Sequence, residues 1–292
     1  MTPRALGLLL AVLAYGTWGL SPLFWKQLTA AAPAEQLAHR VTWAALTYAA
    51  IVAVRGRFGE VRAALVDPQA RRAMLLGAAL LGTNWGTYLY AVSQERIVEA
   101  SLGYYLNPLV NVALGALVLG ERLRPRQALA LALAVLGVAA VAWDAGAMPL
   151  LALVLAVSFG SYGLVRKTAR VEALPGGLVE ATLLATPAVA VIAGWTRAGE
   201  GHLGDPVLLP WLLAAGPFTA LPVWLFAEAA RRLPLSTMGF LQFLTPTMQL
   251  LLAVLVYGEA FRTAHAVAFG LIWSGVALYA WDALRRGPVP TA

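Results

Sequence analysis

The sequence predicts an all-α integral membrane protein, with ten transmembrane helices arranged as two inverted five-helix repeats. Three observations predict it. The 292 residues are 60% hydrophobic and only 12% charged, where a soluble domain carries about 25% charged residues. Ten long stretches lack Asp, Glu, Lys and Arg and together hold 199 residues, while one helical crossing of a bilayer takes about 20. Motifs of the first half also recur in the second. This composition excludes a soluble enzyme, a disordered chain and a DNA-binding module.

In chain order the uncharged stretches are 5–25, 41–54, 73–94, 100–120, 127–143, 145–165, 181–196, 206–227, 233–258 and 263–281. The first has the outline of a secretory signal, with small residues from Thr29 to Ala34 where cleavage would fall. Its 21 residues are long for such a segment, and a copy recurs mid-chain, so it is expected to stay as a span. The second and seventh stretches are the shortest. They reach spanning length only by taking in Glu35, His39 and Arg40 in one case and Glu180 in the other. The connection 55–72 reads as an Arg-rich strap. The connection 197–205 reads as an exposed Gly-rich loop, with His202 a solvated surface residue.

The net charge of +7 does not mark a nucleic-acid binder, because the basic residues are spread singly through loops rather than gathered in one stripe. With the amino terminus inside, sixteen fall on the cytoplasmic side, among them Arg57, Arg124, Arg166 and Arg286, and five on the other: Lys26, Arg40, Arg96, Arg197 and Arg262. Short loops with that bias fix orientation, so both termini are expected to be cytoplasmic. There is no cysteine, hence no disulfide and no thiolate chemistry.

Ala14-Tyr15-Gly16-Thr17-Trp18-Gly19-Leu20 matches Ser158-Phe159-Gly160-Ser161-Tyr162-Gly163-Leu164 at an offset of 144. Leu106, Pro108, Leu114, Leu117, Val118, Gly120 and Glu121 recur at an offset of 138 as Leu244, Pro246, Leu252, Leu255, Val256, Gly258 and Glu259. The halves are therefore 1–144 and 145–292. Five crossings per half invert the second copy, the architecture of many secondary transporters, whose site lies between the repeats.

Polar residues in hydrocarbon turn toward a cavity or a partner helix. Ser101, Tyr104, Asn107 and Asn111 are spaced 3, 3 and 4, one helical face. The second-half equivalents of the last three are Gln242, Thr245 and Gln249. Asn84 and Tyr88, beside Trp85, share a face of the third span; Trp18, Ser21 and Trp25 do so in the first; Ser158, Ser161 and Tyr162 lie in the sixth. Single hydroxyls read as interhelical glue, while Asn107, Asn111 and Gln249 read equally as glue or as solute ligands. Pro108 and Pro246 interrupt the helical ladder at matching points, either as packed kinks or where freed carbonyls meet a solute. Glu35 and His39 can pair at i, i+4, with Arg40 as an outer charge or an interfacial anchor, and Lys26 reads as an anchor. His39 is the histidine placed to sense protons at a solute site.

His39-Arg40-Val41-Thr42-Trp43, Asn84-Trp85, the block from Glu99 to Asn111, Gly120-Glu121-Arg122, Tyr162-Gly163-Leu164-Val165-Arg166-Lys167 and Leu235-Ser236-Thr237 together resemble the RarD subfamily of the EamA-type drug/metabolite transporters, from the first span to the tenth. The resemblance implies ten helices in two EamA repeats, an inner-membrane location and alternating access around a central cavity. Nucleotide-binding and hydrolase motifs are absent. The expected function is therefore a secondary transporter, exporter or facilitator, of a small organic solute, metabolite or drug-like, without cofactor or metal. Its partners are the solute, membrane lipid and protons. The rival is a membrane-embedded assembly or sensor protein that moves nothing. The expected solute site comprises Trp18, Asn84, Tyr88, Tyr104, Asn107, Asn111, Tyr162, Gln242, Thr245 and Gln249, with Glu35, His39 and Arg40 gating or coupling.

Overall fold

The computed structural model describes residues 1–94, 96–145, 150–258 and 263–286. Among them the chain is helical and contains no strand. The first half comprises α1 (Pro3–Gly19), α2 (Ser21–Trp25), α3 (Pro33–Val54), α4 (Phe58–Val66), α5 (Pro68–Ser93), α6 (Ile97–Leu117) and α7 (Pro125–Ala145). The second comprises α8 (Leu150–Thr168), α9 (Ala173–Ala198), α10 (Leu209–Arg232), α11 (Leu235–Gln242), α12 (Leu244–Leu255) and α13 (Thr263–Arg286). Each uncharged stretch falls, among the described residues, mainly on one helix or a consecutive pair. Among the described residues, seven helical segments are long and apolar enough to cross a bilayer, or eight with α1 and α2 as one span bent by 41°.

Local chemistry sets the ends. Thr2 accepts the Ala5 N–H ahead of Pro3, and Asp67 accepts the Gln69 N–H ahead of Pro68, each a side-chain cap before a proline in the first helical turn. Gly56, Gly120, Gly199 and Gly258 follow helices with φ between 63° and 74°, a conformation that favours glycine. The two matched prolines behave differently. α6 runs unbroken over Pro108, whose carbonyl lies against Gly239 where a side chain would not fit. In the second half the helix is divided at Phe243, just ahead of Pro246. The expected matching interruptions are therefore one continuous helix and one break.

The connection 55–72 is more than a strap. Its residues 58–66 form α4, which packs on α5 and α9 and is anchored by Arg57, bonded to Glu60 at 2.6 Å and to Glu172 at 2.6 Å. The hydrogen bonds from Arg57 hold the Glu60 carboxyl below the ordinary carboxylate range.

Helices pair in a pattern that survives exchange of the halves. α1 packs on α10 as α8 packs on α5, and α6 packs on α8 as α12 packs on α1. The pairs α3 with α9, α6 with α11, and α7 with α13 link equivalent helices. The α7–α13 contact is close because Gly137 lies against Ala268 and Gly275 against Ala130, with no room for a Cβ, the small-residue packing that helices use in lipid. Leu117, Trp143, Leu129 and Leu136 face outward.

The basic connections gather at one end, the Arg-rich end, and close orphan helix carbonyls there. Lys167 donates to Leu233 O, and Arg231 donates to Ala169 O and Val171 O at 3.0 and 2.9 Å. Glu121, set beyond Gly120, crosses from the end of α6 to cap α11. Its carboxylate accepts from Leu235 N at 2.7 Å, Ser236 N at 2.9 Å and Ser236 Oγ at 2.7 Å. Replacing Glu121 by Leu should lower stability by about 2 kcal/mol, since it removes charge-assisted capping bonds, and Ser236→Ala by about 1 kcal/mol. Thermal unfolding in detergent measures both. Equal melting of Glu121→Leu and the parent would show that the cap contributes nothing.

Candidate functional site

A cavity of about 790 Å³ lies between the two halves. The first half contributes Trp18, Trp25, Lys26, Gln36, Arg40, Asn84, Trp85, Tyr88, Tyr104 and Asn107 to its wall; the second contributes Phe159, Phe218, Thr219, Val223, Gln242, Thr245, Gln249 and Tyr257. The wall extends to exposed Thr29 and Pro33, at the end opposite the Arg-rich one, so this end is the mouth. The size and the mix of rings with a few amides suit a small organic molecule.

Several wall groups also tie helices together. Pro22 has no N–H to offer the Trp18 carbonyl one turn back, and Gln249 Nε2 donates to that oxygen at 3.2 Å. Thr245 Oγ1 donates to Tyr15 O at 2.9 Å. Asn84 Nδ2 donates to Leu155 O at 2.8 Å and Ser158 Oγ at 3.1 Å. Asn107 Oδ1 and Thr219 Oγ1 are buried on the wall without a hydrogen-bond partner among the described residues.

Of the residues singled out from sequence, Trp18, Asn84, Tyr88, Tyr104, Asn107, Gln242, Thr245, Gln249 and Arg40 come together on this wall. Asn111 lies behind it, fully buried, donating to Gln242 Oε1 at 2.7 Å. Tyr162 also lies behind it. It stacks with Phe226 and belongs with Tyr15, Trp18 and Phe159 to an aromatic cluster whose Trp18–Phe159 and Phe159–Phe226 centroids are 5.4 and 5.1 Å apart. This cluster floors the cavity toward the Arg-rich end. Sequence reasoning missed Phe218, Thr219 and Val223 of α10, where one hydroxyl in an apolar helix made no stripe. Lys26, read as an anchor, is on the wall, its Nζ 4.0 Å above the Tyr257 ring.

Beneath the floor lies an ion pair that spacing alone did not reveal. Arg166, counted above among the loop cations, is 1% exposed and donates to Glu180 Oε1 at 3.1 Å. Tyr162 OH donates to Glu180 Oε2 at 3.2 Å, and Arg166 Nη2 donates to Glu172 O at 3.0 Å. Gly77 and Gly176 leave the space that the carboxylate and guanidinium occupy; a Cβ at either would overlap them. α8 thus brings its cation inward to a partner on α9, instead of presenting it to the water.

At the mouth, Glu35 is buried and takes a second, closer partner besides the expected one. Its Oε1 accepts the His202 backbone N–H at 2.8 Å and its Oε2 faces His202 Nδ1 at 2.8 Å, while His39 Nε2 is 3.8 Å away. His202 is therefore a half-buried helix-to-loop contact and not only a solvated residue. The loop 199–208 folds back over α3, which its glycines did not announce. His39 Nδ1 accepts from Trp43 Nε1 at 3.1 Å, and His39 is absent from the cavity wall.

A helical membrane chain that encloses a ring-and-amide cavity between two halves belongs to the class of multi-pass solute transporters. The chain belongs to the EamA-like transporter family, whose model matches it twice, over residues 5–143 and 147–281. It is similar to an uncharacterized transporter of Pseudomonas aeruginosa, at 44% identity covering 97% of each chain. It is likewise similar to Protein RarD of Salmonella typhimurium, at 42% identity covering 95% of each. One crystal structure superposes with a TM-score of 0.73 at 24% identity, covering 97% of this chain and 99% of that one, a likeness of fold. The chain is thus a multi-pass bacterial membrane protein of a transporter family.

Glu180→Leu should destabilise the protein by about 3–5 kcal/mol, because it leaves the Arg166 guanidinium buried without its counter-charge. The double variant Arg166→Met/Glu180→Leu should melt above either single variant. Additive losses in such a cycle would mean that the two side chains act independently.

Proposed function

We propose that the chain is a secondary transporter of ten spans, its halves 1–144 and 145–292 inverted five-helix repeats with both termini cytoplasmic. It carries a small organic solute across the bacterial inner membrane by alternating access, as an exporter or facilitator. The observation that carries this reading is the cavity shared by the two halves, reaching one end of the molecule and floored toward the other by rings and the Arg166–Glu180 pair. Support for the inverted repeat comes from the two family matches and from helix pairs that map onto one another when the halves are exchanged. Alternating access follows if the halves rock about this cavity. The Tyr15–Trp18–Phe159–Phe226 contacts then part while α2 and α3 close over the mouth.

The solute's apolar part would lie against Trp18, Trp85 and Phe159, with Asn84, Asn107, Gln242, Thr245 and Gln249 orienting its polar groups and Tyr88 and Tyr104 beside Arg40. Asn111 and Tyr162 would act from behind, holding Gln242 and the floor. Glu35 and His39, with His202, would make movement of the mouth sensitive to protons.

Three measurements test these statements. Single cysteines at Arg57, Arg124 and Arg286 of this cysteine-free chain should resist an impermeant thiol reagent in whole cells, and those at Gly201 and Thr263 should react; labelling at Arg124 in intact cells would reverse the orientation. Asn107→Leu should lower solute counterflow about ten-fold through loss of one hydrogen bond, with unchanged insertion; wild-type counterflow in that variant would place the solute elsewhere. In proteoliposomes, His39→Gln should retain counterflow yet lose uptake driven by a pH gradient. Wild-type flux that ignores the gradient would make the protein a facilitator.

A further inference from the structure

Lys26 and Arg40 are the charged side chains on the described wall of the cavity, and both are cations. Arg40 sits in the eighth position of α3, about 10 Å along the helix from its start at 1.5 Å per residue. Its guanidinium carbon is 4.7 Å from the Trp85 ring centroid and 5.1 Å from that of Trp25. The two rings contribute cation–π attraction to the charge but accept no N–H. Arg40 Nε is buried without a hydrogen-bond partner, and among the described residues no carboxylate lies within ion-pair reach of Arg40. Glu35, one turn away on the same helix, is engaged by His202 and is not on the wall.

This arrangement is unusual inside a membrane, where a cation ordinarily finds a counter-ion or a carbonyl. The Arg166–Glu180 pair of the same molecule shows the ordinary solution. A guanidinium with its edge unoccupied, facing a cavity, presents the planar donor fork that matches a carboxylate. Tyr88 and Tyr104 share the cavity wall with Arg40, their ring centroids 6.4 Å apart. Lys26, exposed at the mouth, adds positive potential at the entrance. Organic cations and the ammonium group of a zwitterion meet no acidic side chain on the described wall.

Resting on the reading of the cavity as the solute site, we propose that its ligand is a small organic anion, a carboxylate attached to an apolar or aromatic body, with Arg40 as the group that binds the carboxylate. The body lies among Trp18, Trp85 and Phe159, and the carboxylate supplies the counter-charge that the described wall lacks. Arg40 thereby sets charge specificity, while the amides of α5, α6 and α12 select among anions.

The test uses purified full-length protein in nanodiscs of neutral phosphatidylcholine, which keeps anionic lipid headgroups out of the assay. Four probes share one ring and differ in charge: phenylacetate, phenylacetamide, benzylammonium and phenylalanine. Binding is read by calorimetry and by tryptophan fluorescence, since Trp25 and Trp85 flank the guanidinium. Phenylacetate should bind about ten-fold or more tightly than the other three, the margin of one charge-assisted hydrogen bond. Arg40→Gln should erase the preference of acid over amide, and Arg40→Lys should keep part of it. Melting curves of both variants confirm folding. Should Arg40→Gln not fold, a reduced acid preference in Arg40→Lys supports the assignment, and its full retention overturns it. Equal or tighter binding of phenylacetamide or benzylammonium, or no binding of phenylacetate at millimolar concentration, overturns the anion assignment. Addition of phosphatidylglycerol that displaces phenylacetate one for one would give the site to lipid headgroups instead. Counterflow of any neutral or cationic probe would leave the transporter reading standing while the anion assignment falls.

Discussion

Inside a bilayer there is no water to complete a hydrogen bond, so each polar group carried across must be satisfied by the protein itself. The buried Arg166–Glu180 pair shows how much of the structure follows from that constraint. Charges held at 1% exposure are tolerated only with close geometry and further hydrogen bonds, and here Tyr162 and the Glu172 carbonyl supply them. Gly77 and Gly176 then have to be glycine, because the space beside each backbone belongs to a charged head group. Four helices are thereby fixed around one point: α5, α8 and α9 directly, and α10 through Tyr162 stacked on Phe226.

The same constraint explains the bonds between halves. Pro22, just past the break at Leu20, has no N–H and leaves the Trp18 carbonyl without its usual donor, and Gln249 of the other half provides one. Glu121 of the first half caps α11 of the second. Asn111 of α6 holds Gln242 of α11. Each half completes the hydrogen bonding of the other, so the break in a helix and the seam between halves occur together. Arg40 stands apart because the described protein completes the buried Arg166 and leaves the part-buried Arg40 facing the cavity.

Much of this was readable in the residues. Uncharged stretches located the helices because hydrocarbon excludes charge, and motifs matched at offsets of 144 and 138 in a chain that the family model matches over residues 5–143 and 147–281. Helical spacing placed Tyr104 and Asn107 on one face, and both line the cavity. Spacing could not separate Asn111 from them, because one helical stripe is broader than a cavity wall. Its last residue turns instead to Gln242. Phe218, Thr219 and Val223 gave no periodic signal, since an apolar helix looks alike on every side until its neighbours are known.

What the sequence determined by itself is where the chain is helical and which residues share a helical face, because helix geometry and the cost of charge in hydrocarbon act locally. What only the tertiary structure decided is partnership. Glu35 bonds His202, 167 residues away in sequence, more closely than His39 one turn along its own helix. Arg166 turns from the loop cations to Glu180, and Arg40 faces the cavity between two tryptophans. Such pairings depend on distances between helices, and those distances are set by packing the whole bundle at once, not by the spacing of residues along any one helix.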